Sequence, residues 1–271
     1  MHPYMQLPRL PANAASTLIA LDVAEGLGDY YDIGALWSDE RGSTEFYYRL
    51  LNAGIRIPAT GGTDNFSDVW LDPPPGSDRT YAHVSGALTI AAYMDAIKRG
   101  RTFFSTGPLV KFEVDGHEAG DEIAVSASAP PTVRVVADVV SIAPLESLEV
   151  IVNGEVAQTV RATDPLHVTF DGPIGVPKGG WVTVRATGPK SKYLGDDYAF
   201  AQTSPVYVTR DGRRYLKAED VQFLLETVNA IWTRAEKSRW RSDAEREAFR
   251  AAVDRARAFY QKRATEAATQ D

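Results

Sequence analysis

The stretch GGTDNFSDVW, residues 61 to 70, places a carboxylate, Asp64, two positions after a pair of glycines that follow the apolar run IRIPAT. The run reads as a short buried strand, so Asp64 falls at its C-terminal tip. That is where α/β barrels carry metal ligands and catalytic acids. The glycines let the backbone approach a neighbour closely. The chain holds four histidines: His2, His83, His117 and His167. His117 stands beside an Asp-Gly turn and His167 in an alternating run, and both read as surface or packing residues. His83, in RTYAHVSG, follows a proline- and glycine-rich loop and can face a cleft. Asn65 and Arg79 are further candidates beside it, and His2 opens the chain in HPY with no visible structural reason. An acid with histidines, an amide and a guanidinium suits acid–base or metal-assisted chemistry. No H-x-H, H-E-x-x-H, G-x-S-x-G, P-loop or Rossmann glycine pattern occurs, so a serine triad or nucleotide site has nothing to stand on.

Composition narrows the classes further. The chain has 271 residues, 44% apolar and 24% charged, enough for one large domain or two ordinary ones. Its formal charge of −7 disfavours a nucleic-acid surface or adsorption to a membrane. The basic runs near the C-terminus are interleaved with acids and read as solvated faces. With no cysteine, disulfides and thiolate metal sites are excluded, and the compartment stays open. No apolar run approaches the roughly 18 residues of a membrane span. The N-terminal MHPYMQLPRLPANAAS has prolines and no continuous apolar core, unlike a signal peptide.

Three zones must position these residues. Residues 1–108 alternate helical and strand patterns, as βα units with parallel strands do. TLIALDVAEGL has Leu18, Leu21, Val23 and Leu27 at helical spacing behind a Ser16 cap. YYDIGALW reads as a strand. STEFYYRLLNAG reads as a helix capped by Ser43 or Thr44 and ended by Gly54, and SGALTIAAYMDAIKRG as one ended by Gly100. Residues 109–210 switch to short alternating runs, which predicts an antiparallel β-sandwich of immunoglobulin-like size, with a junction at residues 105 to 109. Asn153-Gly154 predicts a tight hairpin, and Asp115-Gly116 and Asp171-Gly172 predict turns. Residues 215–265 read as two helices packing on the α/β part: Val221, Leu224, Leu225, Val228, Ile231 and Trp232 line one, Phe249, Val253, Ala256 and Tyr260 the other. SDAE at 242 to 245 matches a capping box.

The segments YYRLLNAGIRIPATGGTDNF, RTYAHVSG and AIKRGRTFFSTGPLVKFEVDGHEAGDEI resemble the later part of CehA/McbA-type metallohydrolases of the PHP (polymerase and histidinol phosphatase) superfamily. PLESLEVIVNGEV, AQTSPVYV and the helical tail continue the likeness in order. The resemblance implies a partial PHP-type βα barrel followed by a β-sandwich and a helical pair. It also implies a divalent metal (zinc, manganese or iron) whose bound water attacks a small-molecule or phosphoester substrate, an ester, amide or carbamate. On this resemblance His2-Pro3 matches the histidine-proline motif of a middle strand and Asp64 the late aspartate ligand. Asn65 and Phe66 stand where the superfamily often places a histidine. The early H-x-H pair, the acidic bridging ligand and a further histidine have no counterpart here. Three readings follow: a fragment, one half of a split enzyme completed by a missing N-terminal barrel half or by self-association, or a non-catalytic member that keeps the sandwich for binding.

Overall fold

Proline at a first helical position costs no hydrogen bond, and the first helix opens that way at Pro11. The computed structural model describes residues 9–35, 38–65, 73–126 and 131–270. Helices α1 (Pro11–Ala14) and α2 (Ile19–Ala24) replace the single helix expected there. Leu18, not Ser16, holds the N-cap position, and Gly26 at φ 72° ends the helical path before Leu27. Leu18 and Leu27 are therefore exposed, while Leu21 and Val23 are buried.

Strand β1 (Tyr31–Gly34), helix α3 (Glu40–Asn52) and strand β2 (Ala59–Gly61) form a βαβ unit in which Tyr31 pairs with Ala59 and Asp32 with Thr60, in parallel. Only the end of IRIPAT pairs as a strand. The α3 cap is Asp39, which accepts the Gly42 N–H at 3.0 Å. Ser43 and Thr44, the expected caps, lie buried in the first turn instead, and the Ser43 hydroxyl sits 2.9 Å from that of Tyr31. Gly54 at φ 73° stops the helix, as expected of a C′ glycine.

Strand β3 (Arg79–Ala82), helix α4 (Ile90–Lys98) and strand β4 (Thr102–Ser105) follow. Thr89 caps α4 and Gly100 at φ 74° closes it. The alternating zone then gives β5 (Leu109–Val114), β6 (His117–Glu118), β7 (Glu122–Val125), β8 (Thr132–Val140), β9 (Ser147–Val152), β10 (Glu155–Arg161), β11 (His167–Gly175), β12 (Gly180–Gly188), β13 (Ala199–Thr203) and β14 (Val206–Arg210). The Asn153-Gly154 hairpin forms between β9 and β10 with both residues at positive φ, and Asp115-Gly116 turns β5 into β6 in the same way. Asp171-Gly172 makes no turn. It lies inside β11, which pairs with β8 from His167↔Val140 to Gly175↔Thr132, and that continuous ladder outweighs the local turn preference.

Among the described residues the fold is mixed α/β with two larger sheets. One is ordered β10-β9-β12-β13-β4-β3, with β14 pairing β12 and β7 pairing β14; the other is β11-β8-β5-β6. The chain changes sheet between Ser105 and Leu109, yet β3 and β4, which precede that point, belong to the same sheet as β9, β12 and β13. One apolar core is drawn from both sheets, with Val114, Val135 and Val139 against Val150, Val184 and Ala186.

A second core joins β1, α3 and the last helices, α5 (Ala218–Ala235) and α6 (Asp243–Ala268). Val221, Leu224, Val228 and Ile231 on α5, and Val253, Ala256 and Tyr260 on α6, are buried there with Phe46 and Leu50. Each large apolar side chain contributes about 1.5–3 kcal/mol. The Tyr260 hydroxyl donates to the Ala20 carbonyl at 2.8 Å, and Ser242 caps α6 by accepting the Glu245 N–H at 3.2 Å. No helix among the described residues is long and apolar enough to cross a membrane.

Candidate functional site at the strand tips

The C-terminal tips of β1 and β2 meet at two glycines for a packing reason. A Cβ on Gly34 would come within 2.1 Å of the Phe104 ring, and one on Gly61 within 2.2 Å. Gly61 thus admits a core aromatic from β4, whereas a Cβ on Gly62 meets nothing within 4 Å. Beyond them Thr63 turns inward. Its hydroxyl donates to the Asp78 carbonyl at 3.1 Å and accepts the Gly76 N–H at 2.9 Å, fastening the 73–78 loop to the tip.

Asp64 follows, exposed and in the left-handed region at φ 52°. Asn65 donates its side-chain amide to the Pro73 carbonyl at 2.7 Å. Arg79 begins β3 at this same end, opposite Ser105, with its Nε buried and no hydrogen-bond partner for it among the described residues. His83 does not join them. It lies five residues along from Asp78, about 16 Å at strand rise. There it hydrogen-bonds Glu118 through Nδ1 at 2.8 Å. His2 lies outside the described residues. His117 and His167 are exposed, His167 pairing with Asp138 at 2.8 Å.

What the fold does assemble at these tips is a group of carboxyls from three segments: Glu40 at the start of α3, Asp78 before β3, and Asp196 before β13. Glu40 is almost wholly buried and accepts hydroxyl donors from Ser38 at 2.6 Å and Tyr198 at 2.7 Å. Ser38 in turn accepts the Ala35 N–H at 2.9 Å, so the chain of contacts starts at the tip of β1. Burial foremost, with the Asp196 charge second, raises the Glu40 carboxyl above its ordinary range. Asp78 is 5% exposed. Burial first, then the Asp196 and Glu40 charges and a hydrogen bond with Asp196, push it up to about 8, against a smaller opposing pull from Arg79. Asp196 is itself raised, chiefly by burial. All three carboxyls are thus biased toward the protonated form, in which Asp78 is a carboxylic acid able to donate a hydrogen bond.

Nothing in the sequence singles out these three acids. Each stands in an unremarkable local context, and only the fold brings positions 40, 78 and 196 together. The described residues contain no group of three or more histidine, aspartate or glutamate side chains disposed to hold a metal ion. No family model matches the chain, and no curated protein or solved structure matches it either.

Proposed function

We propose that the chain supplies one wall of a metal-dependent hydrolase of PHP type, acting on a phosphoester, ester, amide or carbamate. The reading combines the sequence resemblance with one structural observation: the parallel β1–α3–β2 unit presents Asp64 at a strand tip, exposed, where such enzymes hold their reacting groups. On this reading β1 and β2 are part of a larger βα barrel, and the two larger sheets form the sandwich that follows it. Asp64 is exposed at the tip, Asn65 shapes its loop through Pro73, and the buried Asp78 is fastened to the tip by the Thr63 hydroxyl on its carbonyl. Further ligands come from residues other than those described, His2 among them, or from a second polypeptide.

The test measures bound zinc and manganese, and hydrolysis of aryl phosphates, esters and carbamates, for the chain alone and co-expressed with a polypeptide carrying an H-x-H strand. Weak metal uptake by the chain alone, lost in Asp64→Asn, and chelator-sensitive turnover by the pair are expected. Metal content near zero in both parent and variant, with no turnover by the pair, would overturn the reading.

A second reading is a binding module without catalysis. The observation favouring it is a cleft of about 500 Å³ between the sheet edges, whose lining does not include Asp64.

A further inference from the structure

Four consecutive residues of β5, Val110 to Glu113, line that cleft, and three consecutive residues of β4 and its approach, Arg101 to Phe103, face them. Side chains alternate between the faces of a strand, so a run of neighbours can line a cavity only along a strand's edge or end. The edge of β5 is open here: β6 pairs with Glu113 and Val114 and then departs. The cavity is thus the mouth between the two sheets. Its volume lies within the range of small-molecule sites.

Two features of this mouth specify chemistry. The first is aromatic. Tyr81 and Phe103, cross-strand neighbours on β3 and β4, stack at 4.7 Å with their planes 11° apart, and Phe112 and Val110 add apolar wall. A planar ring can extend such a stack. The second is Arg101. Its Nε is buried with no hydrogen-bond partner among the described residues, and its nearest carboxylate oxygens stand at 3.7 Å on Glu118 and 3.8 Å on Asp121. Those are ion-pair distances too long for hydrogen bonds. Glu118 shares the same oxygen, Oε2, with His83 at 2.8 Å, and Asp121 accepts the Glu118 N–H at 3.0 Å through its other oxygen, Oδ2, keeping Oδ1 toward Arg101. A guanidinium held by two long ion pairs, its buried Nε without a hydrogen bond among the described residues, beside an aromatic wall, matches a carboxylate attached to a ring. Lys111 at the rim adds a second cation, and the lining also carries the carboxylates of Glu113 and Glu118.

We propose that the mouth between the sheets binds a planar aromatic carboxylate, its ring against the Tyr81–Phe103 stack and its carboxylate on Arg101. The proposal deepens the second reading above and does not rest on the hydrolase reading, because neither Asp64 nor Asn65 lines the mouth.

Calorimetric titration with 2-naphthoate and with the neutral 2-naphthamide tests it. The acid is expected to bind about tenfold or more tighter than the amide, the loss of one charge-assisted pair. Arg101→Gln, on a partly exposed side chain, should keep the parent melting curve and abolish the preference for the acid. Tyr81→Ala should weaken both probes, and Asp64→Asn should bind them as the parent does. No binding of either probe, equal binding by the parent, or a preference that survives Arg101→Gln would overturn the proposal.

Discussion

The indole N–H of Trp181 donates to the side-chain oxygen of Asn52 at 2.9 Å, across 129 residues of chain. The same amide donates through its nitrogen to the Asn153 carbonyl at 3.1 Å and to Asp220 at 2.8 Å. One fully buried side chain therefore ties the end of α3 to β12, to the β9–β10 turn and to α5. Replacing it by alanine strands the indole donor and removes a donor from a buried carboxylate. Asn52→Ala is expected to lower stability by roughly 2–5 kcal/mol, because each unsatisfied buried group costs about 1–3 kcal/mol. Denaturant unfolding measures it, and a loss below the cost of an ordinary surface change would refute the hub.

Asp78 sets a pH dependence of definite sign. Its carboxyl is raised in the folded chain from an ordinary 3.8 to about 8. The folded state therefore holds a proton that the unfolded state has released between those values, so this group's contribution falls as pH rises from about 4 through 8. Asp78→Asn keeps a hydrogen-bond donor there and removes the titration. The variant's melting temperature relative to the parent should climb steadily across that window; parallel curves would show that Asp78 ionises normally.

Gly61 and Gly62 should respond differently to the same substitution. Gly61→Ala drives a methyl into the Phe104 ring and toward the Gly34 carbonyl at 2.7 Å, an overpacking expected to cost about 1–3 kcal/mol. Gly62→Ala meets no atom and should be close to neutral. Circular dichroism melts of the pair decide it, and a destabilising Gly62→Ala would reveal a constraint beyond the contacts described.

Leu224, buried on α5 within the core shared with α3 and α6, gives the last prediction. Leu224→Ala should destabilise by about 2–5 kcal/mol, the usual range for a buried leucine. A melting temperature unchanged from the parent would mean that the tail helices do not support the α/β core.

Features fixed by neighbouring residues were legible in the sequence. The Asn153-Gly154 hairpin, the Asp115-Gly116 turn and the helix-ending Gly54 and Gly100 need only a positive φ at a stated place. Where a distant partner intervened, local reading failed. Ser43 is drawn inward by Tyr31, leaving the cap to Asp39, and Asp171-Gly172 is held extended by β8. The grouping of Glu40, Asp78 and Asp196 left no local trace, since no periodicity links a helix start to two loops. For Asp64 the strand-tip position was readable; His83, grouped with it on sequence, is carried by β3 to the opposite end.

The place of β4 in the large sheet has a consequence for how the protein is made. Its neighbour β13, with Ser105 facing Ala201, is synthesised roughly a hundred residues later, ~5–20 s at typical elongation rates. Until then β4 has only β3 beside it and Phe104 has no Phe200 to pack on. The early βαβ unit leaves the ribosome with its apolar side uncovered. The core between the sheets is complete once β14 has emerged, whereas the core around α3 is closed only when α5 and α6 arrive.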